Sequence, residues 1–311
     1  MLEISEPGFV RRMRIYLAEM FPLPIRFASS LLMYGSFAAI LRRMQGWPDA
    51  TVSFHTLAGI LSVFLVLLML RLMDELKDKV VDYRLFRDRP LPSGKVLERD
   101  IRLSLWLVTG LFLMLNMAIG RAFWMAVIVI LYAYLMFKFF FVPQLLKRNL
   151  LLTLATHNPI IPLLLLFLVA LLADENKRGL SDLHWLPILL LIAQYWSMSF
   201  AWEIARKIRA AEEENEYVTY SRIFGRWGAV GTAAAAQTIA LGLGLSFCVS
   251  LSLSVFYVLI LCAGYVIVAA AYVRFLVSPN SRTSKLRPFA EMFLLSAMAA
   301  GFVEQFVRFH P

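Results

Sequence analysis

Nine apolar runs, each about twenty to twenty-seven residues long, constrain the fold of this chain more than any other feature of its sequence. An α-helix needs about 20 mainly apolar residues to cross the hydrocarbon layer of a membrane. The runs extend over residues 22–42, 52–76, 100–120, 122–142, 149–173, 184–205, 227–247, 251–277 and 287–307. Hydrophobic residues make up 60% of the chain, above the roughly 45–50% of a soluble domain. The sequence therefore predicts an all-α polytopic membrane protein, a bundle of nine transmembrane helices.

Basic residues are unevenly distributed between the two sides of this predicted bundle. With the N-terminus in the cytoplasm, only six of the 31 Lys and Arg residues fall on the outer side. Short cytoplasmic loops are typically enriched in Lys and Arg, so the distribution favours a cytoplasmic N-terminus. The same bias explains the net charge of +10 without a nucleic-acid partner. We expect an integral multi-pass protein of a bacterial inner membrane.

The sequence predicts one transmembrane domain with short ends. Residues 1–21 place apolar side chains against arginines and predict an amphipathic helix lying on the membrane surface. Residues 22–307 form the predicted nine-helix domain, and residues 308–311 form a short C-terminal tail. The two cysteines, Cys248 and Cys262, both lie inside apolar runs, so no disulfide framework is expected.

A charged segment directly follows the second apolar run. Asp74, Asp78 and Asp82 are spaced four residues apart, so on a helix they would share one face. Three carboxylates on one face need compensating positive charge. Divalent cations could supply it, because they prefer oxygen ligands. Acidic residues at membrane depth are functional candidates by default. The spacing alone also allows an ordinary charged loop whose carboxylates pair with neighbouring lysines.

Basic side chains that could hold phosphate oxygens follow this segment and recur later in the chain. They are Arg89, Lys138 at the end of the fourth run, and Arg206, Lys207 and Arg209 just after Glu203. Arg and Lys next to Mg²⁺-binding carboxylates are typical of a diphosphate site. The Lys138 side chain could equally extend to the membrane interface. The positive charges of Arg206, Lys207 and Arg209 could simply complement the negative end of a helix dipole.

A polar pair, His157 and Asn158, interrupts the fifth apolar run. A single histidine in a helix is more often a hydrogen-bonded structural residue than a ligand or a base. The alternative is that the two side chains line a pocket for an acceptor substrate.

Several of these segments resemble a known family. The stretch Asp74-Glu75-x-x-Asp78-x-x-x-Asp82, followed by Arg89-Pro90-Leu91-Pro92-Ser93-Gly94, resembles the first signature of the UbiA superfamily of intramembrane prenyltransferases. That signature is Asn-Asp-x-x-Asp-x-x-x-Asp, followed by Arg-Pro-[Leu/Ile]-x-x-Gly. Tyr134-x-x-x-Lys138 and Tyr220-Ser221-Arg222-Ile223-Phe224-Gly225 are similar to two further segments of the family. The resemblance covers roughly residues 20–305.

The resemblance implies a nine-helix fold whose active site opens on the cytoplasmic side. It implies that Mg²⁺ binds the diphosphate of a prenyl donor while the prenyl group passes to a lipophilic or aromatic acceptor within the membrane lipid. The implied metal ligands are Asp74, Asp78 and Asp82, and the implied catalytic residues are Asp78, Asp82 and Glu203. The implied diphosphate contacts are Arg89, Lys138, Arg206, Lys207 and Arg209, with His157 and Asn158 in the acceptor pocket.

The second signature departs from the family, because Glu203-x-x-x-Lys207 stands where the family has Asp-x-x-x-Asp. A charged lysine cannot bind Mg²⁺, although it can replace the charge of a metal ion. One alternative is a phosphoribosyl transferase of the same fold that acts on a polyprenyl phosphate. Another is a non-catalytic prenyl-lipid carrier or transporter, which only this altered signature supports. A CDP-alcohol phosphotransferase would need Asp-Gly-x-x-Ala-Arg, which the sequence lacks.

Overall fold

The computed structural model describes residues 8–48, 52–214 and 219–306, and within those ranges it contains helices and no strand. The helices are α1 Phe9–Met20, α2 Leu23–Gln45, α3 Phe54–Lys77, α4 Lys79–Leu85, α5 Glu98–Met117, α6 Ala122–Phe137, α7 Pro143–Arg148, α8 Leu150–His157, α9 Ile160–Glu175, α10 Trp185–Ala205, α11 Tyr220–Ser250, α12 Val255–Val277 and α13 Arg287–Val303. Each of the nine predicted spans overlaps a helix, and the fifth is divided between α8 and α9. The all-α prediction is confirmed.

Seven helical segments within the described ranges are long and apolar enough to cross a membrane. They are α2, α3, α5, the stretch Leu150–Glu175, α10, α11 and α12. Helix α6 is apolar but has only 16 residues, and α13 has 17. The chain is therefore an integral membrane protein. The count of nine spans, the cytoplasmic N-terminus and the bacterial inner membrane stay predictions.

The chain folds into two compact units. Unit 1 comprises Met1–Leu31 and Val52–Glu175, and unit 2 comprises Leu32–Thr51 and Asn176–Pro311. Helix α2 therefore contributes its first part to unit 1 and its second part to unit 2. The sequence, which predicted a single transmembrane domain, carries no composition change that marks this division.

Unit 1 is built around α3, which packs against α5, α9 and α6. Ser53 caps the first turn of α3, because its hydroxyl accepts a hydrogen bond from the Thr56 N–H at 3.1 Å. The same hydroxyl donates to the Glu175 carboxylate at the end of α9. Two residues at opposite ends of the segment 52–175 are thereby joined.

A buried hydrogen bond links α3 to α5. The Asn116 amide donates to the Ser62 hydroxyl at 3.0 Å and to the Phe112 carbonyl at 2.8 Å. Asn116 and Ser62 are both fully buried. Because an unpaired polar group is costly in a protein interior, this bond favours the observed packing of the two helices.

Helix α1 is amphipathic, as its sequence predicts, and its apolar side packs into unit 1. Met13 and Tyr16 join a buried cluster with Leu72 of α3 and Ile101 of α5. On the same side, Arg12 forms two hydrogen bonds to the Asp100 carboxylate, at 2.6 and 2.8 Å. The apolar face therefore contacts protein, and a position of this helix at the membrane surface stays a prediction.

Helix α6 ends at Phe137, five residues before the predicted limit of the fourth span. Phe139, Phe140 and Phe141 follow in a left-handed turn with φ angles of 50°, 49° and 60°. Each residue other than glycine in this conformation costs roughly 1–2 kcal/mol. The Phe140 ring packs against Tyr132 and His157, with ring centroids 5.6 and 6.0 Å apart. This packing helps hold a turn that the residues themselves disfavour.

Unit 2 contains α10, which packs against α11 and α13, and α12, which packs against the same two helices. Two hydrogen-bonded groups of buried polar side chains join helices of this unit. The Glu304 carboxylate accepts from Arg43 at 2.8 Å and from the Ser254 N–H at 3.2 Å. The Gln194 amide donates to the Tyr257 hydroxyl at 3.2 Å. Such contacts satisfy groups that cannot reach water.

Candidate functional site

The acidic segment is interrupted at Asp78, which separates α3 from α4. Its N–H donates to the Asp74 carbonyl at 2.9 Å, and its carbonyl accepts from the Asp82 N–H at 3.0 Å. The backbone thus keeps a helical spacing through the break. The side chains differ in environment, because Asp78 is exposed, Asp74 is partly exposed and Asp82 is buried. The three aspartates therefore keep the four-residue helical spacing but differ in how far they are exposed.

Asp82 and Arg89, two of the predicted site residues, form an ion pair. The Arg89 Nη1 atom lies 2.7 Å from the Asp82 carboxylate, whose side chain is only 5% exposed. The Arg89 guanidinium also lies 4.0 Å from the centre of the Phe86 ring. The predicted metal ligand and the predicted diphosphate contact thus contact each other directly.

The Arg-Pro-Leu-Pro-Ser-Gly segment folds into a compact turn behind this pair. The Ser93 hydroxyl donates to the Arg89 carbonyl at 2.7 Å, and the Val96 N–H donates to the Pro90 carbonyl at 3.1 Å. Gly94 has a φ of +77°, which glycine adopts without steric cost. Leu91 is buried beneath the turn. These contacts fix the backbone that carries Arg89.

Two further carboxylates of the segment, Asp74 and Glu75, also have cationic partners. Asp74 lies 3.1 Å from the Lys77 ammonium, and the fully buried Glu75 pairs with Arg71 one turn earlier. These are the local pairings that an ordinary charged segment would make. Among the described residues, no group of three or more His, Cys, Asp or Glu side chains is placed to hold a metal ion.

The donor set nevertheless fits Mg²⁺ that binds together with a diphosphate. Proteins typically hold Mg²⁺ through one or two carboxylates, and substrate phosphates supply further oxygens. Asp78 is exposed and lies one helical turn from both Asp74 and Asp82. A cluster of three protein ligands is not required for such binding.

Three lysines lie over aromatic rings near the end of α6. The Lys77 and Lys147 ammonium groups are 5.5 and 5.1 Å from the centre of the Phe139 ring. Lys138, a predicted diphosphate contact, lies 5.2 Å from the centre of the Phe137 ring. Sequence reasoning did not select Lys77 or Lys147 as site residues. The sequence signal that could have indicated them is the run of three phenylalanines, residues 139–141, which has lysines on both sides.

The predicted acceptor residues lie at the break between α8 and α9. Helix α8 ends at His157, and Asn158 follows as its C-terminal cap before Pro159. The His157 ring packs against Phe139 at 6.1 Å, and its Nδ1 atom lies 3.2 Å from the Thr156 hydroxyl. Its Nε2 atom is buried without a hydrogen-bond partner among the described residues. A role in an acceptor pocket stays a prediction.

In unit 2, Glu203 is bound by two cations at the end of α10. Its carboxylate lies 3.0 Å from an Arg206 nitrogen and 3.3 Å from the Lys207 ammonium. Arg206 lies over the Trp202 ring and Lys207 over the Tyr220 ring, at 5.4 and 5.6 Å from the centroids. One negative and two positive charges leave this group net positive. The structure thus pairs Glu203 with two basic side chains, and its catalytic role stays a prediction.

Arg209 contacts the turn that follows α10. Its guanidinium donates to the Ile208 carbonyl at 2.8 Å and to the Arg206 carbonyl at 3.2 Å. Its own N–H donates to the Ser221 hydroxyl at 2.9 Å. These bonds satisfy main-chain groups at a helix end, which is the structural role that its position suggested.

Two solved structures resemble the chain over nearly its whole length. A structure of digeranylgeranylglyceryl phosphate synthase matches 94% of this chain and 98% of its own, with a TM-score of 0.62 and 19% identity. A UbiA homologue from Aeropyrum pernix K1 matches 90% of this chain and 99% of its own, with a TM-score of 0.64 and 13% identity. The chain has the UbiA fold. No family model matches its sequence, and no curated protein sequence matches it.

The UbiA fold confirms the resemblance that the short motifs indicated. In this UbiA-fold chain, the first signature joins Asp82 to Arg89, and the second joins Glu203 to Arg206 and Lys207. The identity to both solved structures is low, so the likeness concerns the fold. The roles of individual residues depend on the chemistry of each group.

Proposed function

We propose that the chain is a Mg²⁺-dependent intramembrane prenyltransferase that cleaves a prenyl diphosphate and transfers the prenyl group to a lipophilic or aromatic acceptor. The observation that carries this proposal is the folded first signature, in which Asp82 holds Arg89 and Asp78 stays exposed. The UbiA fold supports it further. One of the two similar structures is a synthase of a geranylgeranyl lipid, which favours a prenyl substrate class.

The proposed reaction breaks the carbon–oxygen bond between the prenyl group and the diphosphate. The electron pair stays with the diphosphate, and the acceptor attacks the allylic cation and then releases a proton. Mg²⁺ held by Asp78, with Asp74 and Asp82, would supply positive charge at the leaving group. The Arg89 guanidinium has five N–H donors and contacts Asp82 through Nη1, so its planar fork suits a phosphate oxygen.

Fixed cations form the second part of the proposal. Lys207 brings a permanent positive charge where the family has an aspartate, and Glu203 balances only one of the two neighbouring cations. We therefore propose one Mg²⁺, bound on the Asp74–Asp82 side. Lys138, Arg206, Lys207 and Arg209 are proposed diphosphate contacts, and substitution of each tests that role.

Diphosphate release by the purified protein tests the proposal. The protein is incubated with Mg²⁺ and a panel of prenyl diphosphates, and then with phosphoribosyl diphosphate. Asp78→Asn is the most informative variant, because Asp78 is exposed and the change spares the core. We expect release to fall about 100-fold, in the range for lost electrostatic stabilisation of a leaving group.

Asp88→Asn is the matched control, because Asp88 is an exposed carboxylate in the same charged segment but outside the predicted ligand set. It should keep the wild-type rate. Asp82→Asn is less informative alone, because it also leaves the partly buried Arg89 unpaired. A raised Mg²⁺ concentration for half-maximal rate in Asp78→Asn would tie the loss to metal binding.

The alternatives predict different outcomes in the same experiment. A non-catalytic prenyl-lipid carrier would release no diphosphate from any donor and would bind prenyl lipid equally well with Asp78→Asn. Release from phosphoribosyl diphosphate alone would assign phosphoribosyl transfer. Either result would refute the prenyltransferase proposal.

A further inference from the structure

A narrow cavity lies within unit 2 between α11 and α12, with a volume of about 210 Å³. Its lining includes Trp227 and Gln237 of α11, ten residues apart, so it extends roughly 15 Å along the helix axis. Trp227 and Val273 line it and are also well exposed. The cavity therefore opens on the outer surface of this helix pair, where lipid surrounds a membrane protein.

Two buried polar side chains of the cavity, Gln237 and Tyr272, have unsatisfied hydrogen-bonding atoms. Gln237 is fully buried, and neither its amide nitrogen nor its amide oxygen has a hydrogen-bond partner among the described residues. The Tyr272 hydroxyl lies beside this amide and is also buried. No well-aligned hydrogen bond to it is found among the residues that the structure describes. If these two side chains bonded to each other, the second amide atom would still lack a partner. Buried polar groups are nearly always paired, so this arrangement indicates a ligand.

We propose that this cavity binds the hydroxyl end of a single-chain lipid alcohol. A hydroxyl both donates and accepts, as the amide oxygen and nitrogen together require. The rest of the lining is apolar apart from Tyr265, and includes the small residues Gly231, Ala234 and Ala269. A volume below the roughly 300–1,000 Å³ of ordinary ligand pockets suits one extended chain.

Water alone suits this cavity less well than an alkyl chain. A buried water needs two to four polar partners, and the polar groups here occupy only part of a mostly apolar lining. The apolar remainder gains from burying hydrocarbon. The proposal does not depend on the prenyltransferase reaction.

Photolabelling of the full chain in lipid nanodiscs tests the site. The probe is a twelve-carbon alcohol with a mid-chain diazirine, and mass spectrometry locates the labelled residues. We expect saturable labelling within residues 227–237 and 265–276, which line the cavity. Competition by 1-dodecanol should be about tenfold stronger than by dodecane, as expected for one hydrogen-bonded group.

Variants separate this site from general lipid contact. Gln237→Leu should weaken labelling about tenfold, because it removes both amide atoms while keeping an apolar side chain. Ala234→Leu should abolish labelling by filling the cavity. Gly242→Leu is the matched control on α11, because a Cβ there meets nothing within 4 Å and the residue does not line the cavity. It should leave labelling unchanged.

Three outcomes would overturn the proposal. Absence of saturable labelling would indicate that the cavity holds water and does not bind the alcohol. Equal labelling in Ala234→Leu would place the probe outside the cavity. Equal competition by dodecane and dodecanol would exclude recognition of the hydroxyl. If Gln237→Leu does not fold, Tyr272→Phe removes a polar group from the same cavity with little change of shape and should also weaken labelling.

Discussion

Replacing Asp100 with leucine should release α1 from unit 1, because it deprives the buried Arg12 guanidinium of the Asp100 carboxylate. The side chains of Arg12 and Asp100 are only 9% and 4% exposed, and two hydrogen bonds of 2.6 and 2.8 Å join them. Asp100 also accepts from the Leu97 N–H at 3.1 Å. Removing one partner of such a buried pair typically costs about 3–5 kcal/mol.

A double-mutant cycle can separate the free-energy cost of breaking the ion pair from the cost of lost packing. We expect Asp100→Leu and Arg12→Met each to lower the unfolding free energy by about 3–5 kcal/mol. The combined variant removes both charges, so its stability should return to within about 1–2 kcal/mol of the wild type. Such a recovery of stability in the combined variant would show that the uncompensated charge, and not the lost contact area, accounts for the destabilisation.

Thermal unfolding in mild detergent, followed by circular dichroism, measures the global effect. A loss of about 3 kcal/mol corresponds to a melting temperature lower by roughly 6–12 °C. Trypsin provides the local readout, because Arg11 and Arg14 on the exposed side of α1 become cleavable when the helix detaches.

Arg14→Met is the control for the cycle, because it removes an exposed arginine from the same helix. Its effect should stay within about 0.5 kcal/mol. If Arg12→Met and Arg14→Met lowered the melting temperature equally, the buried ion pair would not hold α1 in place, and the reasoning would be wrong.

Two further predictions concern features of unit 1. Phe141→Asn should raise the unfolding free energy by about 1 kcal/mol, because asparagine tolerates the left-handed backbone that phenylalanine adopts here with φ 60°. Val142→Asn, an exposed neighbour with φ −124°, should bring no gain in the same thermal unfolding measurement. Asn116→Leu should cost about 1–3 kcal/mol in denaturant unfolding, since it leaves the buried Ser62 hydroxyl without the Asn116 amide. Adding Ser62→Ala should recover part of that loss, and no recovery would contradict the role given to this bond.

The helices could be predicted because long apolar runs and proline positions determine them locally. The break at Asn158 before Pro159 lies where the sequence places it, and the seventh and eighth apolar runs correspond to α11 and α12. The docking of α1 could not be predicted, because Arg12 and Asp100 are separated by 88 positions. The left-handed phenylalanine turn could not be predicted either, since its residues individually oppose that backbone and only tertiary packing holds it.

The sequence selected candidate site residues but not the contacts that they make. The motif spacing identified Asp82 and Arg89, but a period of four residues contains no information that these two would pair. Lys207 was recognised as a departure from the family, and the structure shows that it pairs with Glu203 in the last turn of α10. Gln237 carried no signal, because one glutamine in an apolar run does not reveal that its amide lacks a partner.

The contact between Ser53 and Glu175 has a consequence for protein engineering. Both ends of the segment 52–175 meet there, at the first turn of α3 and the last residue of α9. In residues 52–175 taken as a separate polypeptide, a short flexible linker could join these ends, and new termini could then be opened at an exposed loop elsewhere in the segment. A circular permutant of this kind would keep every helix of that segment while changing the order in which a ribosome delivers them to the membrane.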